Sequence, residues 1–343
     1  LPDDQKKRQK LLEALPFEVG SELYAGLRRT RDRLNAFFKE EGVLAVVSGD
    51  NRGTGGIVFA EAGGSYETGA PIPPPRISMA PEPYGRLCRL VEKKIPVKLE
   101  LEMEATFDET SPDGMNVIAE LPGGAKKDEV VMLGAHLDSW HSGTGATDNA
   151  AGSAIILEAM RILKVLGLPM DRTVRVALWT GEEQGILGSR GYVKNHFADP
   201  VTMKTSPEHA KLSGYFNVDN GSGKIRGVYL QGNDMMRPVF AAWLGPFEDM
   251  GAKTISIQNT GGTDHLPFDA VGLPGFQFIQ DPLDYSSRTH HSNIDVYDHL
   301  QEGDLMQAAA ILASVVYQAA TRPEMLPRKP LPKPLPPKGA EPK

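Results

Sequence analysis

The sequence predicts an α/β fold with a largely parallel sheet covered on both faces. Two observations carry that prediction. First, EVVMLGA (129–135), RTVRVALWT (172–180) and KLSGYFNVD (211–219) are short runs nearly continuous in apolar residues, the mark of strands buried on both sides. Second, GSAIILEAMRILKVL (152–166) and ILGSRGYVKNHF (186–197) lie between them with helical spacing, so strand and helix alternate. In such sheets ligands bind outside the carboxyl ends of the strands.

The earlier residues have a different texture. Residues 1–41 are rich in Lys, Arg and Glu, with Leu23, Leu27, Leu34, Phe37 and Phe38 at helical spacing. They predict a surface helix, or two broken near Pro16. From 42 to about 110 a small α/β module is expected. Its strands are VLAVVSGD, TGGIVFAEAGG, a third after the proline-rich PIPPP, and VKLELEMEATF with period-two alternation; PEPYGRLCRLVEKKI is its helix. The main body then runs from 111 to 322. The tail, 323–343, is proline-rich and too poor in apolar residues to be expected to pack, so it reads as an extended or disordered segment dispensable for the metal site.

Composition excludes several functions. The chain has 343 residues, and 37 Lys and Arg against 44 Asp and Glu give a net charge of -7. Nucleic acid is therefore an unexpected partner. No apolar run approaches the ~20 residues that span a bilayer. Cys88 is the single cysteine, so an intrachain disulfide is impossible.

Polar residues gather where the predicted strands end. After EVVMLGA come His136, Asp138 and Asp148; after RTVRVALWT come Glu182 and Glu183; Asp219 closes KLSGYFNVD; His290 and His291 lie in a late loop. Each has a plainer reading: Asp148–Asn149 as a helix cap, GEEQG and Asp219–Asn220–Gly221 as turns, the two His as surface residues. Their shared position at strand ends or late loops of one body argues for a site. Imidazole and carboxylate donors without thiolate suit zinc, with manganese or cobalt as alternatives. Two His and three or four carboxylates suffice for two ions, a shared carboxylate holding them ~3.5–4 Å apart. Of two adjacent Glu, one can take metal while the other faces water as general base.

GAHLDSWHSGTGATDNAAG, WTGEEQGILGSRGY, FNVDNGSGKI, GGTDHLPFDAVGLPGFQF and RTHHSNIDVYD resemble, in order, the motifs of the co-catalytic zinc exopeptidases. These comprise the bacterial leucyl-type aminopeptidases, the glutamate carboxypeptidases and the plasma glutamate carboxypeptidase-like enzymes. The resemblance covers about 129–320. It implies a phosphorylase/hydrolase-like fold with a mixed central sheet flanked by helices, and two zinc ions per chain. Asp148 would bridge them, His136 and Asp219 would complete one, and Glu183 and His291 the other. Glu182 matches the general base, and Asp138 the carboxylate that orients His136. Asn149 follows the bridging Asp, where the family often has a strained peptide bond. His290 stands where some relatives carry Tyr and would donate to a developing oxyanion. Thr263, Asp264 and His265 match a pocket-lining segment, and Asp264 or a metal-ligand carboxylate would recognise a free α-amine. That favours aminopeptidase or dipeptidase action on peptides, through a metal-held hydroxide.

The 42–107 module resembles the later part of a protease-associated domain. Family members carry a peptidase segment and the early part of that insert before it. Their absence here reads as a fragment lacking the first helix or two of the catalytic domain. Relatives with the insert are commonly exported, so a periplasmic or secreted location is expected. Rival readings are a glutaminyl cyclase-like enzyme with one zinc and a non-catalytic binding module of the transferrin-receptor type.

Overall fold

The computed structural model describes residues 17–334, apart from 51, 60, 61, 67, 68, 107–109, 111 and 112. The first part of the expected N-terminal segment (1–16) and the last of the tail (335–343) lie outside the described residues. The chain divides into two compact units. One holds the described residues of Leu1–Gly114 with Trp140–Thr144 and Ser286–Val296; the other holds Met115–Ser139, Gly145–Tyr285 and those of Tyr297–Lys343.

In the first unit a long helix, α1 (Phe17–Glu40), begins just after Pro16. Strands β1 (Val46–Gly49) and β2 (Arg76–Met79) pair in parallel, and helix α2 (Pro81–Glu92) comes directly after β2. Two expected strands are not found among the described residues. In 54–59 only Phe59 makes an isolated bridge, to Ser292, because Gly55 and Gly56 turn the chain at φ 64° and 88°. VKLELEMEATF alternates as a strand should, yet no ladder forms over 97–106, and Val97, Leu99, Leu101 and Met103 are exposed. Alternation describes a face; a strand also needs a neighbour to pair with.

The second unit is built on a seven-stranded mixed sheet. Its strands are β3 (Val117–Leu121), β4 (Lys126–His136), β5 (Arg172–Trp179), β6 (Leu212–Asn217), β7 (Ile225–Tyr229), β8 (Thr254–Ser256) and β9 (Gly275–Gln280). The order is β3-β5-β4-β6-β9-β7-β8. The centre, β5-β4-β6-β9, is parallel; β3 runs antiparallel to β5, and β7 to β9. The fold class is therefore the expected one, a mixed sheet flanked by helices.

Strand pleating explains the two layers. Val131, Leu133 and Ala135 face one side and pack with Ile155, Ile156, Ala159 and Leu163 of α3 (Ala151–Leu166) and with Ile311, Leu312 and Val315 of α8 (Glu302–Thr321). Val130 and Met132 face the other, with Trp179, Tyr215, Phe268 and Val193. In chain order, α4 (Leu187–His196), α5 (Pro207–Lys211), α6 (Arg237–Leu244) and α7 (Leu266–Asp269) come between α3 and α8. No helix among the described residues is long and apolar enough to cross a membrane.

The tail departs from expectation. Residues 323–334 have no helix or strand, but they pack. Leu326 is 2% exposed, seated against Gly214, where a Cβ would not fit. Ser213 Oγ accepts from the Leu326 amide, and Asn233 Nδ2 donates to Pro327 O at 2.8 Å. Arg328 donates to Leu212 O, and Lys329 to Gln231 O while pairing with Asp269 at 2.6 Å. Leu326, the contact of Leu331 and Pro332 with Gly272, and a row of backbone partners are enough to dock a segment that composition alone marks as free.

Candidate metal centre

The centre lies where β4, β5 and β6 end. These are parallel neighbours, so their carboxyl ends point the same way. His136 is the last residue of β4, fully buried. Its Nδ1–H donates to the backbone carbonyl of Asp138 at 2.9 Å. A carbonyl can only accept, so this bond places a proton on Nδ1 and leaves Nε2 as the atom turned to the site. Nε2 lies 3.2 Å from Asp148 Oδ1 and 3.4 Å from Asp219 Oδ1, yet it makes no hydrogen bond. A buried ring nitrogen facing two carboxylates needs positive charge between them, supplied by its own proton or by a bound cation.

Asp138 works differently from expectation. Its carboxylate is 3.7 Å from His136 Nδ1, and it is the backbone carbonyl that holds the ring. The carboxylate instead accepts the amides of Glu182 (Oδ1) and Glu183 (Oδ2), both at 3.1 Å. One Asp thus orients the His through its backbone and the paired Glu through its side chain.

Asp148 is held by a short kinked turn between Gly145 and α3, and its peptide to Asn149 is cis. Gly145 sits at φ 66°, and a Cβ there would strike Ser139 and the Asp148 carbonyl. Asn149 Oδ1 accepts from Gly152 N at 3.1 Å, as a helix cap does, while its Nδ2 donates to Val218 O at 2.9 Å. The cap reading thus holds for Asn149, and Asp148 is left to face His136. Glu182 and Glu183 follow Gly181, at φ 63°, beyond the end of β5. Asp219 lies two residues past β6 rather than at its last residue.

Two donor sets form in this unit: His136, Asp148 and Glu183; and His136, Glu182 and Asp219, the donor atoms of each set within 4.8 Å of one another. Electrostatics give the same picture. Burial, then the Asp219 charge, push the Glu182 carboxyl up to about 10. Burial works against a charged His136, but Asp219 and Asp148 hold its pKa well above the usual imidazole value. The residues present fit a cationic group.

His290 and His291 belong to the other unit, where their rings stack at 3.8 Å and Trp140 lies 5.6 Å from the His291 ring. Thr263, Asp264 and His265 are buried together. Ser189 Oγ donates to Asp264 Oδ1, while Asp264 Oδ2 has no hydrogen-bond partner among the described residues; burial lifts the carboxyl to about 7. Burial lowers His265 to about 4, and its Nε2 lies 2.7 Å from Gln231 Nε2.

Sequence reasoning passed over Ser189, Asn217, Gln277 and Tyr285. Burial, and then Asp148 and Asp219, raise the Tyr285 phenol well above its usual value. The ring lies against Gly221, so a Cβ there would meet it. The signal available was Gly221 itself, one of the two glycines that flank a serine just beyond Asp219.

Comparison with known proteins gives the family. A profile described as Peptidase family M28 matches residues 116–316. Carboxypeptidase Q of Mus musculus is 32% identical over 265 residues, covering 77% of this chain and 53% of that protein. Aminopeptidase YwaD of Bacillus subtilis is 28% identical over 228 residues, 65% of this chain and 48% of that protein. The chain thus spans about half the length of the curated relatives it matches. A crystal structure of a peptidase M28 precursor from Shewanella amazonensis superposes with a TM-score of 0.67 at 29% identity, covering 86% of this chain and 63% of that one. A match over more than half of the chain, with the carboxylate and imidazole donors at the ends of the central strands, shows that the chain belongs to peptidase family M28.

Proposed function

We propose that the chain is a zinc-dependent exopeptidase that hydrolyses a terminal peptide bond, with aminopeptidase or dipeptidase action foremost. The observation that carries this reading is the convergence of His136 Nε2 with Asp148 and Asp219 at 3.2 and 3.4 Å, beside Glu182 and Glu183. Two ions are proposed. His136 and Asp219 hold one, Glu183 the other, and Asp148 is shared. The fifth ligand, His291, and the oxyanion donor, His290, enter on the sequence motif alone.

Bound zinc supplies the positive charge that polarises a carbonyl, acidifies water and keeps these carboxylates ionised. Glu182, turned toward His136 and Asp219, takes the proton from the attacking water and delivers it to the leaving amine. Asp138 holds Glu182 and Glu183 by their amides, so base and ligand keep a fixed offset. Asp264, with one oxygen committed to Ser189, offers the other to a free α-amine, which favours substrates with an open N-terminus. By the resemblance of 42–107 to part of a protease-associated domain, the protein is proposed to be exported.

The test combines metal content with a panel of aminoacyl, dipeptide and N-blocked substrates. Glu182→Gln is expected to keep both ions and lose about 10²–10⁴-fold in rate. Asp148→Ala should lose both ions, and Asp219→Ala should weaken one. Two ions retained in Asp148→Ala would overturn the shared ligand; full activity in Glu182→Gln would overturn the mechanism.

A further inference from the structure

A chain of buried hydrogen bonds crosses the middle of the sheet beneath the centre. Trp179 Nε1 donates to Tyr215 OH at 2.7 Å, and Tyr215 OH donates to Asn217 Oδ1 at 2.5 Å. Asn217 Nδ2 then donates twice, to Gln277 Oε1 and to Thr263 Oγ1, each at 2.9 Å. Gln277 Nε2 finishes one branch on the backbone carbonyl of Asp219 at 2.6 Å. Trp179, Tyr215, Asn217 and Gln277 are all 0% exposed.

The direction of this chain is forced. An indole N–H can only donate, so the Tyr215 oxygen must accept from it. The single phenolic proton then goes to Asn217, whose oxygen must face Tyr215. Both amide hydrogens of Asn217 are thereby turned outward. Gln277 has to present its oxygen to one of them, which leaves its own NH₂ for Asp219. Neither amide can flip without stranding buried donors against donors.

We propose that Asn217 is a positioning residue that ties the backbone seat of Asp219 to the loop carrying Thr263, Asp264 and His265. Through Gln277 it sets where the Asp219 carboxylate emerges from β6. Through Thr263 it sets the loop that carries Asp264. The two arms share one amide group, so losing its donors loosens both seats at once. The inference rests on the metal reading above and adds a residue that touches neither metal nor substrate.

Near-isosteric variants separate the arms. Gln277→Glu loses the donor to Asp219, Thr263→Val loses the acceptor for Asn217, and Asn217→Asp loses both donors. Zinc affinity is measured by chelator competition on the full chain, and amide hydrogen exchange on the metal-free protein. Asn217→Asp and Gln277→Glu are expected to weaken zinc about 10–100-fold, and Thr263→Val to leave it unchanged. Exchange should rise over both 216–222 and 258–266 in Asn217→Asp. It should rise only over the first in Gln277→Glu, and only over the second in Thr263→Val. Unchanged zinc affinity in Asn217→Asp, or exchange altered in one segment alone, overturns the proposal. If Asn217→Asp does not fold, the two end variants decide it: both behaving as wild type overturns the tie. Wild-type protein that binds no zinc overturns the metal reading, and Asn217's role toward metal with it, and is recognised because the unmutated chain fails.

Discussion

The two units handle polar and apolar groups in opposite ways. In the second, charge and hydrogen-bond donors are carried into the interior, and a deep core surrounds them: Val131, Leu133, Phe216 and Val228 are fully enclosed. In the first, β1 and β2 are only half-buried throughout, and apolar residues of 95–103 stand in solvent. Clustered carboxylates are unfavourable to bury, and a seven-stranded sheet closed on both faces has the apolar area to offset that cost. A two-stranded sheet does not. The location of the acidic cluster follows from where the core is thick enough to hold it.

That contrast can be broken in steps of decreasing size. Phe216→Ala, at the centre of the large core, should destabilise the second unit by about 3–5 kcal/mol, read as a lower urea midpoint. Leu326→Ala removes the fully buried apolar side chain of the tail and should cost about 2–3 kcal/mol, the low end for a buried leucine, because the adjoining segment can partly close the gap. Unchanged stability there would mean that the tail does not hold in solution. Lys329→Met, which breaks the half-exposed pair with Asp269, is expected to cost about 0.5–1 kcal/mol, with less effect at high salt. Leu99→Ala in the first unit should shift the midpoint by no more than about 0.5 kcal/mol; a loss comparable to Phe216→Ala would show that residues 97–103 are buried in solution.

Much of the second unit was legible in the sequence. The central strands β4, β5 and β6 and helix α3 announce themselves by long apolar runs with the right period. The acidic and imidazole donors announce themselves by standing just past those runs. The outer strands were not legible for a plain reason. β8 is three residues long, β7 contains a glycine at its middle, and β3 is exposed along most of its length, so none carries a pattern that differs from a loop. VKLELEMEATF failed in the other direction, since it has the pattern and lacks a partner strand among the described residues. Asn217 and Gln277 were missed because a polar residue inside a strand shows its meaning only through partners 46 and 60 positions away. The role of Asp138 was half legible: spacing put it beside His136, but only the folded turn reveals that its carboxylate serves the two glutamates.

The seat of Leu326 against Gly214 also imposes an order of events during synthesis. Strand β6 lies at the middle of the sheet, yet the side chain that fills the space left by its glycine is made 112 residues later. Until that segment has been translated, the Ser213 hydroxyl and the Leu212 carbonyl lack the partners that Leu326 and Arg328 bring. A nascent chain halted before residue 326 therefore leaves an apolar gap on the face of its central strand, open to non-native contacts. That face of the sheet stays open until the proline-rich strip has been made.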